Sequence, residues 1–523
     1  AGRIGVYLLV VCGAELRNIS AEAGVPLSAS LGRYGWRLDL RCGGNGRCNR
    51  CLVELLSGKF LSGGKLLDCG ESGPHTVRAC DTSPVGETGA LRIPPASLQQ
   101  ELVAVETGFL LPLETTAPGG GWSVAVDIGT TTVAALLLRD GVAVAAAGRL
   151  NRQAVFGDNV IDRIAAAASP EGLTALQRAV AAETIDPLLR ELTPEPEKIR
   201  RIAVAGNTVM THLLYGIDPA PIGVAPFEPP LRRFPKVPAK KLGISTAPKA
   251  ELLAAPAVGG NVGGDLVAGM AATRFGGSGR TELLLDLGTN CEMILSHNGK
   301  FLAASAAAGP AFERSGAASG SRAGEGVIEH LRFDAAGRFE LSVRGGGKAA
   351  GLCGSALVDF LASGRRCGLL DEFGRFDPGV PARWGRRVMR DGVLGCRIAP
   401  GVVILETDVE ALLQAKAAVW AGIHSLLRAA GIEPGALERL WLCGGFARGL
   451  DLASAQAIGM LPALPGAEFC ICGNAALAGA ALLAAHPERM NEFDRLASLP
   501  QELPLNSIPG FAEDFIAGLL LPE

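Results

Sequence analysis

Val124-Ala125-Val126-Asp127-Ile128-Gly129-Thr130-Thr131-Thr132 and Leu284-Leu285-Asp286-Leu287-Gly288-Thr289-Asn290 place one Asp-x-Gly-Thr signature after an apolar run, twice, 159 positions apart. Each apolar run predicts a buried strand, and each glycine predicts a tight turn at its end. In such a loop the backbone amides can face phosphate oxygens, the threonine adds a hydroxyl donor, and the aspartate can hold magnesium-bound water. One copy is a weak signal, whereas two argue for internal duplication. A third stretch, Leu440-Trp441-Leu442-Cys443-Gly444-Gly445-Phe446-Ala447-Arg448-Gly449, is a strand ending in a glycine pair, where backbone can approach a flat base or ribose. It follows a long helical pattern from Val409 to Leu427.

Outward from these stretches, strand-like runs alternate with helical ones, the pattern of an α/β domain. The duplication divides this part into a lobe over 122–278 and a second over 279–485, with a tail at 486–523. Phe227 to Pro256, rich in Pro and Lys, reads as an exposed connection, and Glu292 as an outward-facing strand residue that can nonetheless orient a water. Residues 96–121 lose periodicity and end in Ala117-Pro118-Gly119-Gly120-Gly121, the composition of a linker. The first 95 residues form a separate unit, with predicted strands at 6–11, 15–20, 52–56 and 90–93 and a helix at 26–34.

That unit carries Cys42-x5-Cys48-x2-Cys51-x28-Cys80, three cysteines on one loop and a fourth from a distant strand. The spacing matches the plant-type [2Fe–2S] pattern, in which four thiolates complete the tetrahedra of two irons. Gly43, Gly44 and Gly46 let the loop turn its amides toward the sulfurs. Four cysteines also satisfy zinc, but zinc sites pair two short Cys-x2–4-Cys units, and here the grouping is three plus one. Cys69 is an alternative fourth ligand, and with Cys12 it otherwise reads as a small buried hydrophobe. Arg41, Arg47 and Arg50 interleave with the ligands, and residues 1–93 hold 11 basic against 8 acidic side chains, a rim suited to an acidic partner surface.

Bulk composition narrows the function classes. Of 523 residues, 48 % are hydrophobic and 19 % charged, which gives a chain able to bury several cores and places it outside the disordered class. A formal net charge of −3 argues against nucleic-acid binding, and no apolar run approaches the ~18 residues of a membrane span. Val6 to Val11 is too short for a leader's apolar core. With 13 cysteines read as ligands and free thiols rather than disulfides, the cytoplasm is the expected compartment. A Walker phosphate loop and a dinucleotide-binding GxGxxG are both absent from the sequence.

The two loops and the glycine pair, in this order, resemble the ATPase fold shared by actin, Hsp70 chaperones and sugar kinases. With the cysteine unit in front, the chain resembles the ATP-dependent reductive activators of corrinoid proteins. Phe156 to Arg163, Gly206-Asn207-Thr208, Ala308 to Glu313, Leu352 to Ala356, Asp408 to Lys416 and Gly473 to Ala476 extend the likeness, and Arg314 to Gly326 departs from it. The resemblance implies a multidomain α+β and α/β protein, with an N-terminal β-grasp [2Fe–2S] ferredoxin-like domain and a duplicated, ribonuclease H-like two-lobe ATPase. It makes Asp127 and Asp286 the catalytic carboxylates. Asp127, Gly129, Thr130 and Thr131 become the first phosphate loop and Asp286, Gly288, Thr289 and Asn290 the second. Gly444, Gly445 and Phe446 border the adenosine. The implied cofactors are the cluster, ATP and Mg2+, and the implied partners are a corrinoid protein and a reduced electron donor, with a homodimer compatible. The implied activity is one-electron reduction of Co(II) to Co(I) for methyl transfer. Two alternatives stay open: a nucleotide-gated redox sensor without turnover, and an ATP-coupled reductase of another low-potential acceptor.

Overall fold

The computed structural model describes residues 5–522 except 14, 35, 37, 39, 41–43, 45, 47, 48, 95, 96, 99–106, 112, 158, 310, 312–319, 321–324 and 391. Cys42, Cys48, Arg41, Arg47 and most of Arg314 to Gly326 therefore lie outside the described residues. The chain divides into two compact units, residues 1–102 with 150–180, and residues 103–149 with 181–523.

In the first unit, β1 (Gly5–Cys12) and β2 (Glu15–Glu22) form an antiparallel hairpin followed by a helix at Leu27–Arg33. Then come β3 (Leu52–Ser62), β4 (Lys65–Asp68), β5 (His75–Arg78) and β6 (Thr82–Ile93). The last strand inserts parallel to β1 and antiparallel to β3, which is the arrangement of a β-grasp. Alternation drives it: Val6, Leu8 and Val10 of β1 face inward onto Leu27, Leu31, Phe60 and Leu91. The sequence expectation missed β4 and β5, both short and polar, and began β6 eight residues late because Thr82 to Gly89 carries little apolar alternation.

The second unit contains two sheets of like topology. One is built from β7 (Trp122–Ile128), β8 (Thr132–Arg139), β9 (Val142–Leu150), β10 (Ile199–Gly206), β11 (Val237–Pro238) and β12 (Glu251–Ala254), in the order β11-β12-β10-β7-β8-β9. After it come β13 (Glu282–Leu287), β14 (Cys291–His297) and β15 (Lys300–Ala306). Two small sheets follow, β16 (Val327–Phe333), β17 (Phe339–Val343) and β18 (Gly351–Leu352), then β19 (Arg387–Arg390), β20 (Val393–Ala399) and β21 (Val402–Leu405). The chain then re-enters the second main sheet with β22 (Arg439–Cys443), β23 (Glu468–Gly473) and β24 (Pro500–Glu502), giving β23-β22-β13-β14-β15-β24. In both main sheets an antiparallel hairpin is flanked by successive parallel strands: β10 then β12 beside β7, β22 then β23 beside β13. This is the duplication that the paired motifs imply.

Helices Gly264–Thr273 and Ala475–Ala485 follow β12 and β23 in corresponding positions and pack on each other. Alanine and glycine allow the approach. A Cβ on Gly479 would lie 2.1 Å from the Ala268 carbonyl oxygen, so only glycine fits there. A 25-residue helix, Glu406–Ala430, covers the predicted pattern; Asp408 Oδ2 accepts from Leu405 N at 2.8 Å at its start, and Gly431, at φ +70°, ends it.

Three expectations are corrected. Phe227 to Pro256 is not simply an exposed connection, because β12 sits inside the first main sheet and Leu242, Ile244, Leu252 and Leu253 are buried. Pro238 lies in β11, and Lys240 and Lys241 lie in the short helix Ala239–Leu242 beside these apolar positions. Residues 486–523 are not a loose tail. They supply the helix Met490–Ser498, β24 beside β15, and the helix Phe511–Gly518 packed on Glu406–Ala430. Buried Lys416 donates to the Gly518 and Leu520 carbonyls, each at 2.6 Å, and so ties that end down. Within the supposed linker, Phe109 bridges to Gly473, and Leu110 N donates to Cys472 O at 2.9 Å. Among the described residues no helix is long and apolar enough to cross a membrane.

Candidate functional site

In the second unit, Asp127 and Asp286 are the next-to-last residues of β7 and β13, and each strand passes through its Gly-Thr turn into an antiparallel partner. The two turns face each other, with Thr131 Oγ1 3.3 Å from Thr289 Oγ1. They line one cleft of about 630 Å³ together with Gly129, Thr130, Gly288, Asn290, Gly444, Gly445 and Phe446. All eleven residues assigned from sequence to nucleotide binding thus share a single cavity. The reason for glycine differs from the expected one at Gly129, which does not adopt a positive φ. There a Cβ would lie 2.8 Å from Thr132 O. Gly444 needs both freedoms, since its φ is +93° and a Cβ would meet Leu287 O at 2.7 Å and Asp286 Oδ1 at 2.9 Å.

Five carboxylates line this cleft, and four of them, Asp127, Asp265, Asp286 and Glu292, act on one another, while Glu329 pairs with Arg344. Asp127 accepts from Asn474 Nδ2 at 2.8 Å, yet burial pushes its pKa up to about 7, and the charge of Asp265 adds to the rise. Asp265, in the first turn of Gly264–Thr273, is pushed up to about 6 by burial although the Leu266 N–H bonds to it. Glu292 is 7 % exposed, and its pKa is raised well above the usual carboxylate range by burial and by Asp265 and Asp286. This corrects the outward-facing reading. Glu292 pairs directly with Asp286 across the hairpin, so both side chains leave the same face of the sheet. Among the described residues no three of these side chains are grouped so as to hold a metal ion, and the opposed turns supply hydroxyl donors where a polyphosphate can lie.

Sequence reasoning missed Asp265 and gave no role to Asn207 and Asn474, although both lie in stretches that carry the family likeness. Asn474 caps Ala475–Ala485 through Leu477 N at 2.8 Å while holding Asp127. Asn207 caps Thr208–Tyr215 through Met210 N at 2.9 Å and donates to Thr130 Oγ1 at 3.2 Å. Asp265 follows a glycine-rich turn at a helix start. A capping Asn directly after a strand is a readable signal at the first two positions.

In the first unit, Cys51 and Cys80 are buried beside each other, and their thiols are hydrogen-bonded. Burial and the Cys51 thiol push the Cys80 pKa up to about 12, while the Gly46 N–H donates to the Cys80 sulfur. Gly44 and Gly46 both take positive φ, at +80° and +70°, and a Cβ on Gly44 would stand 3.9 Å from Cys80 Cβ. Two adjacent buried thiols beneath a loop whose amide points at sulfur are a donor set that fits an iron–sulfur cluster. Cys42 and Cys48 fall outside the described residues, so the fit rests on Cys51, Cys80 and their glycine loop. Cys69 is buried in the short helix Cys69–Ser72 and Cys12 lies half-buried at the end of β1.

Comparison with known proteins agrees with this layout. Residues 122–278 match the model of the RACo middle region, and residues 280–523 match that of the C-terminal domain of RACo, the ASKHA domain. The chain is 30 % identical over 428 residues to the corrinoid activation enzyme RamQ of Eubacterium limosum, covering 77 % of this chain and 70 % of that protein. It is 26 % identical over 347 residues to the [Co(II) methylated amine-specific corrinoid protein] reductase of Methanosarcina barkeri, covering 60 % and 61 %. The solved structure of a reductive activator for corrinoid, iron-sulfur protein superposes with a TM-score of 0.72 at 27 % identity, covering 99 % of this chain and 98 % of that one. From the duplicated lobes, the opposed Gly-Thr turns and these matches, the chain belongs to the family of reductive activators of corrinoid proteins.

Proposed function

We propose that this protein couples ATP hydrolysis to the one-electron reduction of Co(II) in a corrinoid protein, returning it to the Co(I) state that accepts a methyl group. The observation that carries the nucleotide half is the 3.3 Å approach of Thr131 and Thr289 in a cleft that Asp127, Asp265, Asp286 and Glu292 also line. Asp127 and Asp286 would hold Mg2+, which when bound neutralises phosphate charge, the threonine hydroxyls and loop amides grip the phosphates, and Gly444, Gly445 and Phe446 border the adenosine. Glu292 takes the proton from the attacking water as the bond to the γ-phosphorus forms and the bond to the β-phosphate oxygen breaks. The cations that arrive with the nucleotide favour its ionised form.

Cys42, Cys48, Cys51 and Cys80 would hold a [2Fe–2S] cluster, which when bound supplies single electrons near about −400 mV. A shortfall of about 100 to 300 mV against cobalt corresponds to ~2 to 7 kcal/mol for one electron. Nucleotide turnover can meet that shortfall only if the lobes and the corrinoid partner bind differently in the two nucleotide states. A separate reduced carrier, working in the cytoplasm, reloads the protein. The test is phosphate release by the anaerobically reconstituted protein with and without a Co(II) corrinoid protein. Stimulation by the Co(II) form and not by the methylated form supports the proposal, and equal release with both opposes it.

A further inference from the structure

The segment expected as a tail reaches back into the first lobe. β24 runs parallel to β15, with Glu502 opposite Ala303, and Leu503 N donates to Ala303 O at 2.8 Å, so the Glu502 backbone is fixed to the second main sheet. Its side chain crosses to the loop that leaves β12. Oε1 accepts from Asn261 N at 3.0 Å and from Asn261 Nδ2 at 2.8 Å. Oε2 lies against Gly259, where a Cβ would sit 1.8 Å away and would displace the glutamate side chain.

The same loop is gripped from inside the first lobe. Thr208 Oγ1 donates to the Gly259 carbonyl at 2.6 Å. Thr208 opens the helix capped by Asn207, and Asn207 Nδ2 donates to Thr130 Oγ1 of the first phosphate turn. Gly263 backs onto Asn207, since a Cβ there would lie 2.4 Å from Asn207 Cα, and the next two residues carry the chain to Asp265 in the cleft. Glu502, Asn261 and Gly259 are themselves not among the residues lining that cleft.

We propose that Glu502 is a positioning residue for the nucleotide site: from the second lobe it clamps the Gly259–Gly264 loop, and through Thr208 and Asn207 this sets Thr130 and Asp265. The clamp spans both lobes, so it loads the phosphate turn only when they hold their mutual position. This inference rests on the reading of the cleft as a Mg-ATP site.

The test uses the full-length protein and four variants: Glu502→Ala, Glu502→Gln, Thr208→Val and the double variant Glu502→Ala with Thr208→Val. Steady-state hydrolysis gives kcat and KM for Mg-ATP, and thermal melting reports folding. Glu502→Ala is expected to raise KM about tenfold, the size of one charge-assisted hydrogen bond, with a smaller change in kcat. Glu502→Gln stays within about twofold, because its amide oxygen still accepts both Asn261 bonds. Thr208→Val matches Glu502→Ala, and the double variant is no worse than either single one, since both cut the same chain of contacts. A Glu502→Ala protein with unaltered KM, whatever its melting temperature, overturns the inference, as do fully multiplicative effects in the double variant. Wild-type protein that fails to bind Mg-ATP overturns the nucleotide reading itself, a result separable from the others.

Discussion

Asp127 and Asp286 were legible because each ends an apolar run and precedes a glycine, whereas Glu292 was misread because strand alternation alone does not say which face of β14 meets the cleft. The hairpin register decides it by setting Glu292 opposite Asp286. Replacing Glu292 with Gln is expected to lower kcat for ATP hydrolysis by about 10²-fold or more while moving KM less, as for loss of a proton acceptor. Equal losses in binding and turnover would assign Glu292 to nucleotide binding instead. Crowding among the carboxylates also has a sign in stability. Burial raises the folded-state pKa of Asp127 to about 7 from 3.8, so between these values the folded chain binds a proton that the unfolded chain has released. Stability of the nucleotide-free protein therefore falls as pH rises through that window, and the loss is complete above about pH 7. Asp265 acts in the same direction, with a pKa of about 6. Melting of Asp127→Asn should show a shallower decline between roughly pH 5 and pH 8, and a higher midpoint than wild type at the upper end. A wild-type midpoint that rises across this range would contradict the assignment.

At the level of elements, strands adjoining the motifs and the helix Glu406–Ala430 were readable because their apolar periodicity is long and uninterrupted. β24 and β12 were hidden for a different reason. β24 is three residues long, Pro500–Glu502, and owes its place to pairing with β15 rather than to local propensity. β12 is flanked by lysines and prolines whose composition masks four consecutive sheet residues. The crossing of Gly264–Thr273 with Ala475–Ala485 is likewise a tertiary fact, visible in sequence only as small residues in a helix. Its tolerance is narrow. Gly479→Ala places a methyl group against the Ala268 carbonyl, which favours separation of the helices more than the gain in helix propensity favours the substitution. We expect a loss of about 1–3 kcal/mol in denaturant unfolding, with the slope unchanged. A stability gain would mean that the two helices do not approach as described.

For the whole molecule, the duplication and the three-plus-one cysteine spacing could be read directly, because both are long-range patterns that survive without knowledge of packing. What joins the lobes could not, since it depends on single side chains such as Glu502 and Asn474 that meet partners 241 and 347 residues away. On the proposed reading, electron transfer and hydrolysis reside in different parts of the chain and should separate by mutation. Cys80→Ala is expected to keep ATP hydrolysis and nucleotide affinity while losing the visible absorption of reconstituted protein and all cobalt reduction. Unchanged iron content in that variant would remove Cys80 from the ligand set. The central claim is met most directly by mixing the anaerobically reduced protein with a Co(II) corrinoid protein and following the cobalt spectrum with and without Mg-ATP. The account predicts Co(I) only when Mg-ATP is present, and Co(I) formed equally well without nucleotide would contradict it.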